Sequence, residues 1–205
     1  MASEYKSYNN DKLEELSSRF IITGLSYSKL SAFARNQKAF EMNYVYGIRS
    51  RKAATAIAGT AYHAALRIYF YKRKEGELVE LPYLEQIAFE EIDETLPNEW
   101  KLQKTLPTVE DCIKKANATV TSLLRNFFKE IFVYDEELDE IIGVEFFCNE
   151  WLTVNDMDVP LPFSLVVDLI IRTKDGRHII IDHKSKASHS DDDGIALTIR
   201  EQAII

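Results

Sequence analysis

The spacing of apolar residues divides this chain into a helical first half and a strand-rich second half. Up to about residue 132, apolar residues recur every three or four positions, which is the period of helices that bury one face. From Glu140 onward they alternate or run continuously, with Ile and Val prominent, as in β-strands. The predicted helices are Lys12–Phe20, one capped by Ser26 or Ser28 that runs through Leu30 and Phe33, Gln37–Tyr46, Gly59–Lys74, Pro82–Thr95, and one from Thr108 to about Phe132.

The second half predicts a sheet followed by one more helix. The predicted strands are Ile142–Asn149, Trp151–Val154, Val166–Arg172 and Arg177–Lys184. A polar loop at Ala187–Gly194 and the start of a helix at Ile195–Ile205 follow. Helices, then a mainly antiparallel sheet, then a helix indicate an α/β (α+β mixed) fold. We expect the 205 residues to form a single domain, with residues 1–20 as a loose N-terminal segment.

Charged residues interrupt the last two predicted strands at matching depths. Asp168 lies within one apolar strand, and Asp182 and Lys184 lie at the end of the next. A three-residue loop with Gly176 in the left-handed conformation would set Asp168 directly opposite Asp182, whereas a two-residue turn would place them on opposite faces. We predict the three-residue loop. Two carboxylates and a lysine on one face indicate a site for a hard divalent cation beside a reacting phosphate.

An ordinary hairpin is the alternative interpretation of the same residues. In that case the charges lie at the edge of the sheet, and Lys184 forms a salt bridge with an aspartate. The apolar composition of both strands predicts burial of both faces, which favours a site because buried unpaired charge is costly. The hairpin by itself leaves both interpretations open.

The charge of the chain is unevenly distributed. The formal net charge is −8, yet residues 28–74 carry ten Lys and Arg with one acid, Glu41, and residues 75–99 carry nine acids and no Lys or Arg. This asymmetry is compatible with a polyanion bound on one side, or with two solvated helix faces. We expect no membrane span and a cytoplasmic location, because the chain has no long apolar run and no secretory signal, and its two cysteines, Cys112 and Cys148, do not indicate a disulfide framework.

With these residues in hand, the chain resembles the PD-(D/E)xK nuclease superfamily, and within it the RecB-type exonuclease branch. Five segments carry the resemblance in the family's order: LSYSKLSAFARNQKAFEMNYVYG at 25–47, GTAYHAAL at 59–66 like the Gly-x-x-x-His helix, LVVDLII at 165–171 like the strand of the first metal acid, IIIDHKSK at 179–186 like the acid-x-Lys strand, and REQAII at 200–205 like the start of the Gln-x-x-x-Tyr helix. The resemblance implies a restriction-endonuclease-like core, a mixed sheet with a central β-hairpin flanked by helices.

The chain departs from the family pattern at several positions. Val167 replaces a frequent glycine, and Arg35-Asn36 stands where many relatives have Cys-Pro. The tyrosine of the last motif would fall at position 206, which suggests a truncated C-terminus and impaired activity. An iron–sulfur cluster of the kind that some relatives hold with four cysteines is not expected here.

The resemblance also implies roles for individual residues. Asp168, Asp182 and Lys184 would be catalytic, and the metal, Mg²⁺ or Mn²⁺, would be bound by His63, Asp168, Asp182 and the backbone carbonyl of His183. Glu145 would bind a second metal or support the site, with a purely structural role as the alternative. Strand alternation turns the His183 ring to the face opposite Asp182 and Lys184, and His178 and His189 are expected to be exposed.

The implied activity is metal-dependent hydrolysis of DNA phosphodiester bonds, on ends or single strands, in repair or recombination. Substrate contacts are expected from Gln202, Tyr27, Lys29, Arg35 and Lys38. A separate helicase or recombination protein is the expected partner. The alternative function is a non-cleaving nuclease-fold module that binds DNA or docks on such a partner, and a third is a metal-free structural domain.

Overall fold

The computed structural model describes residues 22–130 and 137–184. The helices are α1 (Tyr27–Arg35), α2 (Gln37–Phe40, continued by a π-helical turn at Glu41–Val45), α3 (Ala54–Lys74), α4 (Leu81–Asp93) and α5 (Val109–Glu130), with a short 3₁₀ turn at Pro97–Glu99. The strands are β1 (Leu138–Glu150), β2 (Thr153–Val154), β3 (Met157–Asp158), β4 (Phe163–Thr173) and β5 (His178–Ile181). The predicted helix Lys12–Phe20, the loop Ala187–Gly194 and the helix Ile195–Ile205 lie outside the described residues. The mixed α/β fold class is confirmed.

Polar caps begin two helices where the sequence predicts them. The Ser26 hydroxyl accepts a hydrogen bond from the Lys29 N–H at 3.3 Å at the start of α1. At the start of α5, the Thr108 hydroxyl accepts from the Asp111 N–H at 3.1 Å and donates to the Asp111 carboxylate at 2.8 Å. The carboxylate therefore holds the capping hydroxyl rather than the backbone N–H that a full capping box would engage.

The long helix α3 begins earlier than predicted. It starts at Ala54, five residues before Gly59, and has no side-chain cap. Alanine is the best helix former, so the alanine-rich stretch at 53–58 extends the helix without a cap. The predicted end is confirmed, since α3 stops at Lys74 and Gly76 follows with a φ of 82°.

Among the described residues the chain forms two compact units. The first comprises residues 22–49 and 147–166, and holds α1, α2, the β2–β3 hairpin and the adjoining ends of β1 and β4. A parallel bridge joins Leu25 to Phe163 there, through Leu25 N to Pro162 O and Ser164 N to Leu25 O, both 2.8 Å. The prediction of a single domain stays a prediction.

The second unit comprises residues 50–130, 137–146 and 167–184 and contains the main apolar core. Helices α3, α4 and α5 pack against one another. The largest fully buried side chains include Phe70, Leu84, Trp100, Leu124 and Leu169. This packing fixes α3 along most of its length, and with it the side chains that α3 presents to the sheet. No helix within the described ranges has the length and apolar character needed to cross a membrane.

The sheet has the strand order β1-β4-β5. Strands β4 and β5 are antiparallel, with Leu169 opposite Ile181 and Arg172 opposite His178. The predicted three-residue loop is confirmed: Thr173 N donates to Arg177 O at 2.9 Å, and Gly176 has a φ of 86°.

Two expectations about β5 are wrong. The strand ends at Ile181 rather than Lys184, because the His183 N–H bonds to the Asp168 side chain instead of continuing the ladder. The strand is also not buried on both faces, since Ile180 is 69% exposed at the edge of the described sheet.

Candidate functional site

The two acidic residues of the hairpin lie where the β4–β5 ladder ends. Leu169 and Ile181 form its last pair, so Asp168 and Asp182 occupy the next positions in register. The His183 N–H donates to Asp168 Oδ2 at 2.8 Å, which ties the end of β5 to the Asp168 carboxylate. The register is therefore the predicted one, with the two acids just beyond its last pair.

These two carboxylates have different surroundings. The Asp168 side chain is 19% exposed, and burial raises the pKa of this carboxyl, although the His183 N–H and the nearby His63 partly offset the effect. The Asp182 side chain is 46% exposed and contacts Lys184 Nζ through both oxygens, at 2.6 and 2.9 Å. The structure therefore contains both the Lys184 salt bridge expected of an ordinary hairpin and the register expected of a metal site.

His63 reaches the same place from α3. Its Nδ1 lies 3.5 Å from Asp168 Oδ2. The neighbouring Ala61, Ala64 and Ala65 are buried and small, which lets this stretch of helix pack closely. The predicted site residues therefore form two pairs of side chains, His63 with Asp168 and Asp182 with Lys184, and the backbone N–H of His183, which lies between Asp182 and Lys184 in the chain, bonds to Asp168.

The His183 ring lies on the other face, as predicted. It is 8% exposed, stacks on Phe70 with ring centres 5.5 Å apart, and meets Phe127 edge-on at 6.3 Å. Burial lowers the pKa of His183 to about 4, and its Nε2 finds no hydrogen-bond partner within residues 22–130 and 137–184. The ring is a neutral core group, which leaves the backbone of His183 for the site.

The side chains of the site are of the chemical type that binds a hard cation, but they are not arranged around a common point where a cation could sit. Two carboxylates and an imidazole are ligands that Mg²⁺ and Mn²⁺ accept. Within the described ranges, however, no three His, Cys, Asp or Glu side chains converge closely enough to hold a metal ion. Because Lys184 occupies both oxygens of Asp182, a cation at Asp182 would have to compete with that ammonium group.

Glu145 lies in β1 with an unusual backbone. Its φ is 45°, in the left-handed region that a residue with a side chain rarely adopts. Its carboxylate accepts a hydrogen bond from Arg67 Nη1 at 3.2 Å. Sequence reasoning missed Arg67, although its spacing of four residues from His63 places both on one face of α3.

The same face of α3 makes two further contacts with β1. The Tyr71 hydroxyl donates to the Val144 carbonyl at 3.1 Å, and Lys74 Nζ donates to the Ile142 carbonyl at 2.7 Å. These bonds satisfy backbone carbonyls of β1 with side chains from α3. Together with the Arg67–Glu145 pair, they fix the helix against the strand beside the acidic residues.

Four of the remaining predicted residues lie in the first unit, and two lie outside the described residues. Tyr27, Lys29, Arg35 and Lys38 belong to the first unit, where Lys29 Nζ bonds to the Gly24 carbonyl at 2.7 Å and Lys38 Nζ pairs with the Glu41 carboxylate at 2.8 Å. His178 is exposed, as predicted. Gln202 and His189 lie outside the described residues.

Comparison with known proteins gives one family. The sequence profile described as the PD-(D/E)XK nuclease superfamily matches residues 24–202. This range covers most of the chain and includes each residue of the hairpin site. No curated protein and no solved structure shows a significant match.

Proposed function

Because this chain belongs to the PD-(D/E)XK nuclease superfamily, we propose that it is a metal-dependent nuclease that hydrolyses phosphodiester bonds of DNA. The observation that supports the proposal is the β4–β5 register, which ends at Leu169 and Ile181, just before the two acids, together with the 2.8 Å bond from the His183 N–H to Asp168. Two adjacent carboxylates followed by a lysine are the groups that this hydrolysis needs.

Each group of the site has a role in the proposed reaction. Asp168, Asp182, His63 and the backbone carbonyl of His183 would hold Mg²⁺ or Mn²⁺. When bound, the cation would polarise the phosphoryl oxygen and lower the pKa of a water molecule. The His183 N–H keeps the Asp168 carboxylate in one orientation. The Lys184 ammonium, once released from Asp182, would orient the attacking water and stabilise the charge that develops on the phosphate.

The finer parts of the proposal rest on the resemblance. We expect the RecB-type branch, exonuclease-like action on ends or single strands, a part in repair or recombination, and a separate helicase or recombination protein as partner. Gln202, Tyr27, Lys29, Arg35 and Lys38 would contact substrate, and Glu145 would support the site. The cytoplasmic location stays a prediction.

A nuclease assay with Mn²⁺ tests the proposal. Wild-type protein should degrade DNA in a metal-dependent manner, and Lys184→Ala should lose about 100-fold or more of the rate, the usual cost of one charge-stabilising group. Lys72→Ala, which removes a lysine of α3 that pairs with Glu77, is the matched control and should keep full activity. Equal cleavage by wild type and Lys184→Ala would contradict the assignment.

One observation favours a second candidate function, a non-cleaving module that binds DNA or a repair partner. Lys184 already neutralises Asp182, and the described side chains do not converge as a ready metal site. Calorimetric titration with Mn²⁺ separates the two candidates. Binding that disappears in Asp168→Asn supports the nuclease, whereas no binding to wild type, together with no cleavage, supports the module.

A further inference from the structure

A groove runs along α3 beside the proposed metal centre. It has a volume of about 460 Å³ and is lined by Ala56, Gly59, Thr60, His63, Ala64, Arg67, Glu91 and Glu145. Four of these residues are Gly, Ala or Thr, so a bound chain can come close to the helix backbone. Both His63 and the Arg67–Glu145 pair border this groove.

Arg67 is placed to contact a ligand in the groove. It lies four residues after His63, which is about 6 Å along the helix axis on the same face. Its side chain is 42% exposed. A guanidinium group carries five N–H donors, and the contact with Glu145 is made through Nη1 alone. Most of the guanidinium donors therefore remain free of Glu145 and can bind a phosphate.

Glu145 is better suited to hold Arg67 than to hold a metal. Its carboxylate accepts a hydrogen bond from Arg67 Nη1 at 3.2 Å, and the guanidinium group, which stays charged at all ordinary pH values, compensates the charge of the carboxylate. Its left-handed φ of 45° costs about 1–2 kcal/mol. Strained backbone of this kind is retained where a side chain must be aimed in a particular direction, and here the side chain is aimed at Arg67.

The charges along the groove also indicate which part of it a bound nucleic-acid strand would occupy. Glu91 and Thr60 line this groove and also a neighbouring hollow, where Glu91, Glu94 and Glu99 outnumber the single lysine, Lys52. A polyanion is repelled at that acidic end, near the start of α3. The favourable path leads past His63 towards Arg67.

We infer that Arg67 binds a backbone phosphate of a nucleic-acid strand next to the phosphate at the metal centre, and that Glu145 is the positioning residue that orients Arg67. This inference rests on the proposed function, because it takes the ligand of the groove to be the strand that is cleaved. In this inference Glu145 forms an ion pair with Arg67 instead of binding a second metal.

Fluorescence anisotropy of a labelled single-stranded oligonucleotide, with Ca²⁺ in place of Mn²⁺ and over a range of salt concentrations, tests Arg67. Arg67→Gln should weaken binding about tenfold and reduce the slope of log affinity against log salt by about 0.7. Arg67→Lys should lose less. Lys72→Gln removes one positive charge from the same helix outside the groove and should change little. Thermal unfolding of each variant confirms that it is folded.

A double-mutant cycle tests Glu145. Glu145→Gln should weaken oligonucleotide binding about threefold in the wild-type background, have no effect in the Arg67→Gln background, and leave Mn²⁺ affinity by calorimetry unchanged. A loss of Mn²⁺ affinity in Glu145→Gln would overturn the positioning role. Equal oligonucleotide affinities for Arg67→Gln and Lys72→Gln, or no binding by wild type, would overturn the role of Arg67.

These outcomes separate this inference from the proposed function. If wild type does not cleave DNA but its oligonucleotide affinity depends on Arg67, the nuclease proposal fails and the phosphate contact stands. If wild type cleaves and affinity is independent of Arg67, the phosphate contact fails and the nuclease proposal stands.

Discussion

Burial of the His183 ring makes the free energy of unfolding depend on pH, and the contribution of this one residue can be measured separately from that of the other ionisable groups. The ring stacks on Phe70, and burial lowers the pKa of His183 from 6.5 to about 4. Nearby charges act in opposite directions, since His63 lowers this pKa and Asp182 raises it, and burial is the largest cause. In the folded protein the ring is therefore neutral over a pH range in which an unfolded chain would bind a proton.

The size of the effect follows from the two pKa values. Between pH 6.5 and 4 the unfolded state gains a proton at His183 that the folded state does not accept, so stability falls as the pH falls. Each pH unit costs about 1.4 kcal/mol. The loss attributable to His183 is therefore about 3 kcal/mol at pH 4, a large part of the 5–15 kcal/mol that is usual for a folded domain.

Urea unfolding in EDTA between pH 7.5 and 4 measures this loss against a matched variant. His183→Phe keeps an aromatic ring against Phe70 and Phe127 and keeps the backbone N–H that bonds to Asp168. It also removes a buried Nε2 that has no hydrogen-bond partner in the described part of the chain. The contributions of the ionisable groups that both proteins share largely cancel in the difference.

The expected difference in unfolding free energy, variant minus wild type, is constant above pH 6.5 and rises by about 3 kcal/mol towards pH 4. A difference that stays flat across this range would refute the reasoning, because it would mean that the folded protein accepts the proton at His183 as easily as the unfolded chain does.

Three further changes have expected outcomes. Gly176→Ala should cost about 1–2 kcal/mol in urea unfolding, because φ is 86° there and the site has open space for a methyl group; Gly176→Asn should cost less, and equal costs would argue against a conformational cause. Thr108→Ala should lose about 1 kcal/mol by removing the α5 cap, whereas Thr119→Ala, at a partly exposed position in the middle of the same helix, should be near neutral. Burial raises the pKa of Asp168, so its ionised form lowers the stability of the folded state as the pH rises through that pKa. Asp168→Asn should therefore raise the melting temperature at pH 7 in EDTA but abolish any stabilisation by Mn²⁺; a lower melting temperature in EDTA would contradict this.

The sequence predicted the hairpin register because the determinants are local. A glycine at position 176 admits the left-handed conformation that a three-residue loop requires, and the alternation of side chains then sets Asp168 against Asp182. The same alternation correctly turned the His183 ring away from Asp182 and Lys184, and the ring is buried there. The end of β5 depended on a tertiary contact, the bond from the His183 N–H to a side chain on the neighbouring strand, which strand propensity does not encode.

The partnership of Arg67 and Glu145 could be read from the sequence only in part. A spacing of four residues from His63 puts Arg67 on the same side of the helix as His63. The left-handed backbone at Glu145 carries no sequence signal, because glutamate is not a residue that favours this conformation. The pairing depends on how α3 lies against β1, through Tyr71 and Lys74 as well, and such packing is a tertiary property.

The contrast between the two acids explains how a site can hold negative charge before a cation arrives. Asp168 is half-buried and fixed by the His183 N–H, so its position is set by the fold. Asp182 is exposed, and Lys184 neutralises it through both oxygens. Under the proposed function, a cation bound at Asp182 would compete with this ion pair and would leave the Lys184 ammonium group free for a reacting phosphate. One change of partner at Asp182 would then serve both the proposed metal site and the lysine, with Asp182 as the adjustable ligand of that site and Asp168 as the fixed one.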